Sequence, residues 1–382
     1  MQHLKKRKVV LLLCFLIKVV LLGCLESGTG SPTMPTLEAT ATSQATPVPH
    51  RLETLLAYVP QSWADVHVPV GFGPAINFLD VAQIRADLGI PAITGADSRQ
   101  AKQDLIRGLN TQNLRFGPVG MDWSYSFDEW GWDIADVDRV LHLRDFDVSI
   151  LVGNFGRPEI REHLSTKGYM PSKVGDFTVF TADEAALQFA LKPDTLIIGS
   201  IEDEIDVLET LVRVRAARQP GLDEHPTVVA ILDQLDGVWG AVLAPSPDIV
   251  TYAEQVVPNL RVPSEFEQFL KEKFLEAEIE AYGWDFMAIT FQGLGEETTL
   301  HFLYHYPSEG EASKDIGLVR RTLTETPYLS RRGRIWSDFM DLESVEVRGT
   351  ILVARARTRS KHLIGSALEG FDFWGFLPIR QK

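Results

Sequence analysis

Cysteine is almost absent from this sequence of 382 residues, and the two that occur, Cys14 and Cys24, both lie within the first 24 positions. The rest of the chain therefore has no disulfide, no thiol nucleophile and no thiolate to bind a metal. Its stability must come from core packing alone. A hydrophobic content of 45%, with 8 Trp and 20 Phe, provides ample material for a sizeable core.

Catalytic and cofactor motifs are also missing, because no G-x-S-x-G, H-E-x-x-H or P-loop lysine occurs. His301 and His305 have the i, i+4 spacing of a helical zinc site. They lie in a predicted strand, however, where four residues span about 13 Å. We therefore predict no metal site and no cofactor, and favour a non-catalytic protein over an enzyme.

Basic residues are scarce over most of the chain. The formal net charge is −15, and the first 23 residues carry five Lys/Arg and no acid, so the charge without them is −20. A chain with this much negative charge repels phosphate backbones and anionic bilayers, which argues against general nucleic-acid binding. Residues 314–382 are the exception, with 13 Lys/Arg against 8 Asp/Glu. This part of the chain is locally positive.

The N-terminal segment has a basic start and an apolar run over 9–22 that Lys18 interrupts. This run is shorter than the ~20 apolar residues that a membrane-spanning helix needs, and it is typical of a signal peptide. Leu21-Leu22-Gly23-Cys24 then resembles the lipobox of bacterial lipoproteins processed by signal peptidase II. The alternative is an uncleaved signal anchor in which the cysteine is incidental.

Membership of that lipoprotein class would imply that residues 1–23 are removed and that Cys24 carries a diacylglycerol as the new N-terminus. It also implies attachment to the extracytoplasmic face of a bacterial cell membrane. Residues 24–50 are rich in Ser, Thr and Pro and almost free of large apolar groups. They predict a disordered tether that spans roughly 25–30 Å as a coil. The lipid on Cys24 would then be the contact with the membrane.

The remaining sequence predicts an α+β fold of two related modules, residues 51–240 and 241–382. We expect each to contain a mixed or antiparallel sheet with helices packed on one face. The order strand, helix, hairpin, helix occurs in both 148–218 and 299–373, which favours an ancient duplication.

In the first module, the pattern predicts a strand at 148–152, a helix at 158–165 and a hairpin about Gly175-Asp176. In the second, it predicts a strand at 299–306, a helix at 315–324 and a hairpin about Arg348-Gly349. Further helices are predicted at 77–88, 98–109 and 366–373, and from Thr181, Ser200 and Ser264 onward.

The first candidate site is the acidic and aromatic segment 121–138. Aromatic faces stack on sugar rings, and carboxylates accept sugar hydroxyls or act as an acid/base pair. The alternative is that the aromatic rings fill the core beneath a loop, while Asp133 or Asp136 caps a helix entering 137–143. The candidate ligand-binding residues are Trp123, Tyr125, Asp128, Glu129, Trp130 and Trp132.

The second candidate site is formed by Arg355, Arg357 and Arg359, which alternate along a predicted strand and so lie on one face. They would bind an anionic partner such as a cell-wall polymer. The alternative is a solvated sheet face on which these arginines pair with Glu343 and Glu346 across the hairpin.

These features favour a lipid-anchored, extracytoplasmic lipoprotein that binds a glycan, an envelope protein or another ligand. A solute-binding lipoprotein of a transporter is one alternative. A carbohydrate-binding or glycan-hydrolysing protein built on 121–138 is the other.

Overall fold

The chain divides into a unit of residues Met1–Thr46 and a compact unit of residues Pro47–Lys382. Everything described below belongs to the second unit. The computed structural model describes residues 52–65, 76–87, 89–90, 130–143, 148–183, 187–200, 211–212, 219–235, 237–246, 283–293, 298–326, 334–359, 376–378 and 380.

Twelve strands form one continuous sheet in which every pairing is antiparallel. This confirms an α+β fold with an antiparallel sheet. The order across the sheet is β11-β12-β10-β9-β8-β1-β2-β3-β7-β6-β5-β4. The strands are β1 (Ile76–Asp80), β2 (Val137–Leu143), β3 (Val148–Gly153), β4 (Met170–Val174), β5 (Phe177–Thr181), β6 (Leu187–Lys192), β7 (Thr195–Ser200), β8 (Gly240–Pro245), β9 (Phe286–Gln292), β10 (Thr299–His305), β11 (Met340–Arg348) and β12 (Ile351–Thr358).

The sheet has two halves in chain order, β1–β7 and β8–β12, which meet where β1 pairs with β8. Each half starts with three strands that are neighbours in the sheet, and a helix follows the third; in the first half a helix, Val81–Asp87, also follows the first strand. Later strands then return, so that the last strand of each half pairs with the third: β7 with β3, and β12 with β10. The predicted module boundary at residue 240 falls at the first residue of β8, and the sheet continues across it.

Six short helices of the described part of the chain accompany the sheet. None of the helices in the described ranges is long and apolar enough to cross a membrane. The helices are α1 (Glu53–Leu56), α2 (Val81–Asp87), α3 (Pro158–Thr166), α4 (Pro226–Leu232), α5 (Glu309–Lys314) and α6 (Ile316–Glu325). Single 3-10 turns occur at Gln61–Asp65, Ile134–Asp136, Leu222–Glu224 and Trp336–Asp338.

The helices lie on both faces of the sheet, so the prediction of helices on one face is wrong. On one side, α2, α3, α5 and α6 pack with the strands into what we call the first core. On the other side, α1 and α4 pack into the second core. The physical reason is alternation along buried strands. In β8, Val242 and Ala244 point to the first core, and Ala241 and Leu243 to the second.

Burial on both faces also explains one wrong prediction of secondary structure. Residues 77–88 were expected to form a helix, but the structure has β1, all five residues of which are buried, followed directly by α2. A strand that is buried on both sides lacks the alternation that would mark it in the sequence. Its apolar run then merges with that of the following helix.

Both predicted hairpins are confirmed. Gly175 (φ 57°) lies between β4 and β5, and Gly349 (φ 61°) lies between β11 and β12. The predictions for β3, α3, β10 and α6 are confirmed as well. Thr181 was expected to begin a helix but is the last residue of β5. The helices predicted at 98–109, after Ser200, from Ser264 and at 366–373 lie outside the described residues.

Candidate functional site

The second-core side of the sheet changes from apolar to polar within β10 and β12. On β10, Leu303 is fully buried, while His301, two positions earlier on the same side, is partly exposed. On β12, Val353 is 5% exposed and Arg355 is 48% exposed in its side chain. The helix α4 packs against β9 and β10 and belongs to the same core as Leu303. The polar positions lie beyond this apolar part of the sheet.

A shallow depression with a volume of about 330 Å³ opens in the polar region. We use the name open face for this depression together with the adjoining Asp341, Glu343, Arg357 and Arg359. Among the described residues that line it, Val353 is the one with an aliphatic side chain. The lining residues are Gln234, Gln292, His301, Ser344, Glu346, Arg348, Val353 and Arg355.

The strand register places these side chains in rows across the sheet. Arg355 is paired with His301 on β10 and with Ser344 on β11. Arg357 is paired with Thr299 and Asp341. Side chains directly opposite one another have Cβ atoms about 4.5–5.5 Å apart, so a ligand that touches Arg355 also reaches His301 and Ser344.

Glu343 holds two of the three predicted arginines. It lies at a β-bulge, where the register shifts between Leu342 and Ser344. Its Oε2 lies 3.0 Å from Nε of Arg355, and its Oε1 lies 3.1 Å from Nε of Arg357. The predicted cross-hairpin pairing is therefore present for Glu343. Glu346 pairs instead with Arg348 on its own strand.

The third arginine, Arg359, follows β12 and binds Asp341. Its Nε donates to Asp341 Oδ2 at 2.7 Å, and its terminal nitrogen contacts Oδ1. These hydrogen bonds lower the pKa of the Asp341 carboxyl below its usual value, and the positive charges of Arg359 and Arg357 act in the same direction. The four arginines of the open face, which include Arg348, thus stand beside three carboxylates. The face offers many donors but little net charge.

The aromatic segment contributes core rather than surface where it is described. Trp132 is 1% exposed and packs edge-to-face on Phe155, with ring centroids 6.0 Å apart, so it has no ring face for a ligand. Trp130 is partly buried against Phe189 at 4.9 Å, and the Lys167 ammonium lies 4.6 Å from its ring centroid. The other four candidates, Trp123, Tyr125, Asp128 and Glu129, lie outside the described residues.

Asp133 and Asp136 act as caps. Asp133 accepts from the Ala135 amide at 2.8 Å, and Asp136 accepts from the Asp133 amide at 3.0 Å. The capped element is the 3-10 turn Ile134–Asp136, and the segment that follows it is strand β2, so the predicted helix at 137–143 is wrong. Asp136 also forms a buried ion pair with Arg157. Both carboxylates therefore stabilise the fold.

The two histidines lie on strand β10, as predicted. His305 contacts Asp285 with 2.6 Å between Nδ1 and Oδ1, and His301 lines the depression. Within the described ranges, no three His, Cys, Asp or Glu side chains converge as a metal site.

Gln234 and Gln292 were not predicted to belong to a site. Gln234 follows α4, and Gln292 is the last residue of β9, so both come from elements that are distant in the sequence from β11 and β12. Isolated glutamines carry no local signal of a site. Only the strand order reveals that they share a surface with Arg355.

No protein family model matches the sequence. No curated protein matches it either. Among solved structures, crystal forms IV, III and I of TP0453 are similar to the chain, with TM-scores of 0.40, 0.37 and 0.35. The sequence identities are 11%, 10% and 11%. Each match covers 79% of this chain and 95–96% of the other chain.

Proposed function

We propose that this chain is a lipid-anchored, extracytoplasmic lipoprotein of a bacterial cell membrane that binds a component of the cell envelope through its open face. The anchoring part is supported by Cys24 after Leu21-Leu22-Gly23, by the absence of any later cysteine, and by the Ser/Thr/Pro-rich segment 24–50. The binding part rests on the open face.

The observation that carries the binding role is the switch of one sheet side from core to exposed hydrogen-bonding groups. Arg355 and Arg357 are about half exposed, whereas Leu303 and Val353 on the same side are buried. Exposed arginine is enriched at protein interfaces, because its planar group makes several directed hydrogen bonds. Both oxygens of Glu343 are held by arginines, so this carboxylate supports recognition better than proton transfer.

Neither alternative function gains support from a described residue. A two-lobed solute-binding protein would place a cleft at the module boundary, whereas this sheet runs unbroken through β1 and β8. A glycan site on 121–138 would need exposed rings, and Trp132 lies in the first core.

We also propose that the two halves of the sheet are related modules that arose by duplication. The repeated order of three strands, a helix and returning strands supports this proposal. So does the pairing of β1 with β8, because each is the first strand of its half.

The anchor is tested by growth with labelled palmitate, followed by fractionation of membranes. The wild-type chain should carry the label and sediment with membranes, and Cys24→Ala should be unlabelled and either released or left as a precursor. Cys14→Ala is the matched control and should behave as the wild type. Unchanged labelling of Cys24→Ala would contradict the anchor.

Binding is tested with purified residues 24–382 carrying Cys24→Ser, mixed with isolated envelope fragments of the producing bacterium and sedimented. The doubly substituted Arg355→Gln/Arg357→Gln chain should sediment less with the fragments. Arg161→Gln/Arg320→Gln removes the same charge from exposed helix positions in α3 and α6 and should have no effect. Equal sedimentation of all three chains would contradict binding through the open face.

A further inference from the structure

Glu343 pairs with two arginines that both stay about half exposed. A guanidinium is a rigid planar fork with five N–H donors. The Glu343 carboxylate lies closest to Nε of Arg355 and of Arg357, at 3.0 and 3.1 Å. The two terminal nitrogens of each fork form a further edge. Because the two side chains are 48% and 53% exposed, we expect these edges to face solvent.

The two forks repeat along the strand. Residues two apart on a strand are about 6.6–6.8 Å apart and point to the same side. Each free edge matches a planar or tetrahedral oxyanion in a bidentate manner. Arg355 and Arg357 thus form a short row of equivalent anion contacts, which suits a ligand with repeated anionic groups.

We infer that Glu343 is a positioning residue that aims Arg355 and Arg357 at a linear acidic polysaccharide, whose carboxylate or sulfate groups would bind the two forks. The inference rests on the proposed binding role of the open face and gives its ligand class.

The neighbouring side chains favour a sugar polymer over other polyanions. His301 and Ser344 flank Arg355 in its row, and Gln292 and Gln234 line the same depression. Hydroxyl, imidazole and amide groups both donate and accept, as sugar hydroxyls do. The depression thus provides partners for neutral sugar groups beside the forks for charged ones.

The charge distribution argues against nucleic acids and anionic bilayers. Both attract proteins mainly through dense charge that acts at long range. The open face has nearly balanced charges, and the chain without residues 1–23 has a formal charge of −20. Short-range bidentate hydrogen bonds are then the available source of affinity, and they suit a polymer whose charges are separated by neutral groups.

The pairing of Glu343 has more effect on ligand binding than on folding. Exposed ion pairs add little to the stability of a fold. Ordering a long side chain when a ligand binds costs free energy, so arginines that are already held bind at a lower cost. Loss of Glu343 should therefore weaken binding although the net charge of the face rises by one.

Calorimetric titration of residues 24–382 carrying Cys24→Ser, with polygalacturonate and chondroitin sulfate as acidic probes and dextran as the neutral control, tests the inference. We expect binding to an acidic probe and none to dextran. Arg355→Gln/Arg357→Gln should weaken binding at least about tenfold, since each lost charged hydrogen bond is worth roughly 1.5–3 kcal/mol. Glu343→Gln should weaken it about threefold.

Two further variants separate geometry from charge. Arg355→Lys/Arg357→Lys keeps the charge but removes the forks, and should weaken binding nearly as much as the glutamine variant. Arg161→Gln/Arg320→Gln loses two charges elsewhere and should bind within about twofold of the starting chain. Circular dichroism of each variant verifies that the fold is retained.

Two results would overturn the inference. Tighter binding by Glu343→Gln would mean that Glu343 shields the arginines rather than positioning them. Failure to bind both acidic probes, or equal binding to DNA or to anionic vesicles, would reject the ligand class. If the same protein still sedimented with envelope fragments in an Arg355- and Arg357-dependent manner, the proposed function would stand and only its ligand would change.

Discussion

The second-core side of the sheet differs between its two halves. In β1–β3 and β7 this side is filled by buried residues such as Phe78, Ile150 and Ile197, and residues of 52–63 and 222–235 complete the same core. In β11 and β12 the same side carries exposed arginines and glutamates and a half-buried serine. We call β1–β7, apart from its exposed edge strand β4, the covered half, and β8–β12 the open half, in which β8 and most of β9 stay buried.

This difference shows that a strand can stay in a sheet with only one buried face. In β12, Leu352, Ala354 and Ala356 still point into the first core, while Arg355 and Arg357 are exposed between and beyond them. The open half must therefore obtain most of its stability from the first core. Residues 376–378 add to this core, because Phe376 stacks on Trp336 with ring centroids 4.1 Å apart.

The largest loss of stability that we expect follows from Arg380→Ala, which removes the cation of a partly buried ion pair in the open half. Arg380 donates to Asp315 at 2.8 Å and to Glu311 at 2.9 Å, and Asp315 is 3% exposed. Removing the arginine leaves a buried carboxylate without its cation, which costs about 3–5 kcal/mol. Urea unfolding measures the loss, and the exposed Arg320→Ala is its control, with a change below about 0.5 kcal/mol.

The equivalent substitution in the covered half is Arg157→Ala, which removes the cation beside the buried Asp136 carboxylate. A loss of similar size would mean that each half depends on its own buried pair. A loss below about 1 kcal/mol for Arg380→Ala, with the full loss for Arg157→Ala, would mean that the C-terminal segment does not stabilise the open half.

A somewhat smaller loss of stability is expected when a residue of the second core is truncated in either half. Ile150 on β3 and Leu303 on β10 are both fully buried in that core, on the third strand of their halves. Truncation of either residue to alanine should lower the free energy of unfolding by about 2–5 kcal/mol and shift one common transition. Two separate transitions, each moved by only one variant, would show that the halves fold independently.

Sequence patterns predicted those parts of the fold that depend on neighbours in the chain. The hairpins at Gly175 and Gly349 follow from turns that favour positive φ, and glycine adopts these φ values readily. The single sheet was not predictable, because it depends on the pairing of β1 with β8, about 160 residues apart. The prediction of a separate sheet in each module failed for this reason.

The candidate site was likewise predictable only where it depends on residues close in the chain. Alternation along β12 predicts that Arg355 and Arg357 share a face, and cross-hairpin distance predicts their pairing with Glu343. The contribution of Gln234 depends on where α4 ends against β9 and β10, which only tertiary packing determines. Trp132, by contrast, was predicted to belong to a site but is buried. An aromatic residue among acids has the same sequence pattern whether it is buried or exposed.

Substitutions on the open face should affect stability much less than those in the cores. Arg355→Gln and Arg357→Gln each remove one exposed ion pair with Glu343, which is worth about 0.2–1 kcal/mol. Urea unfolding of both variants beside Leu303→Ala measures the contrast on one side of the sheet. A loss above about 2 kcal/mol for either arginine would indicate a structural role and weaken the case for a binding face.

The smallest effect is a pH dependence carried by Asp341. Arg359 holds the pKa of this carboxyl below 3.8, its ordinary value, so the unfolded chain binds more protons in this region than the folded chain does. The stability from the pair is complete above pH 3.8 and is lost as the pH falls through the lower pKa of the folded state. The difference in unfolding free energy between the wild type and Asp341→Asn should therefore shrink toward acid pH. It should also shrink in concentrated salt, which screens exposed charges. Arg359→Gln should remove the same pH dependence, and a difference that grows toward acid pH would contradict the assignment.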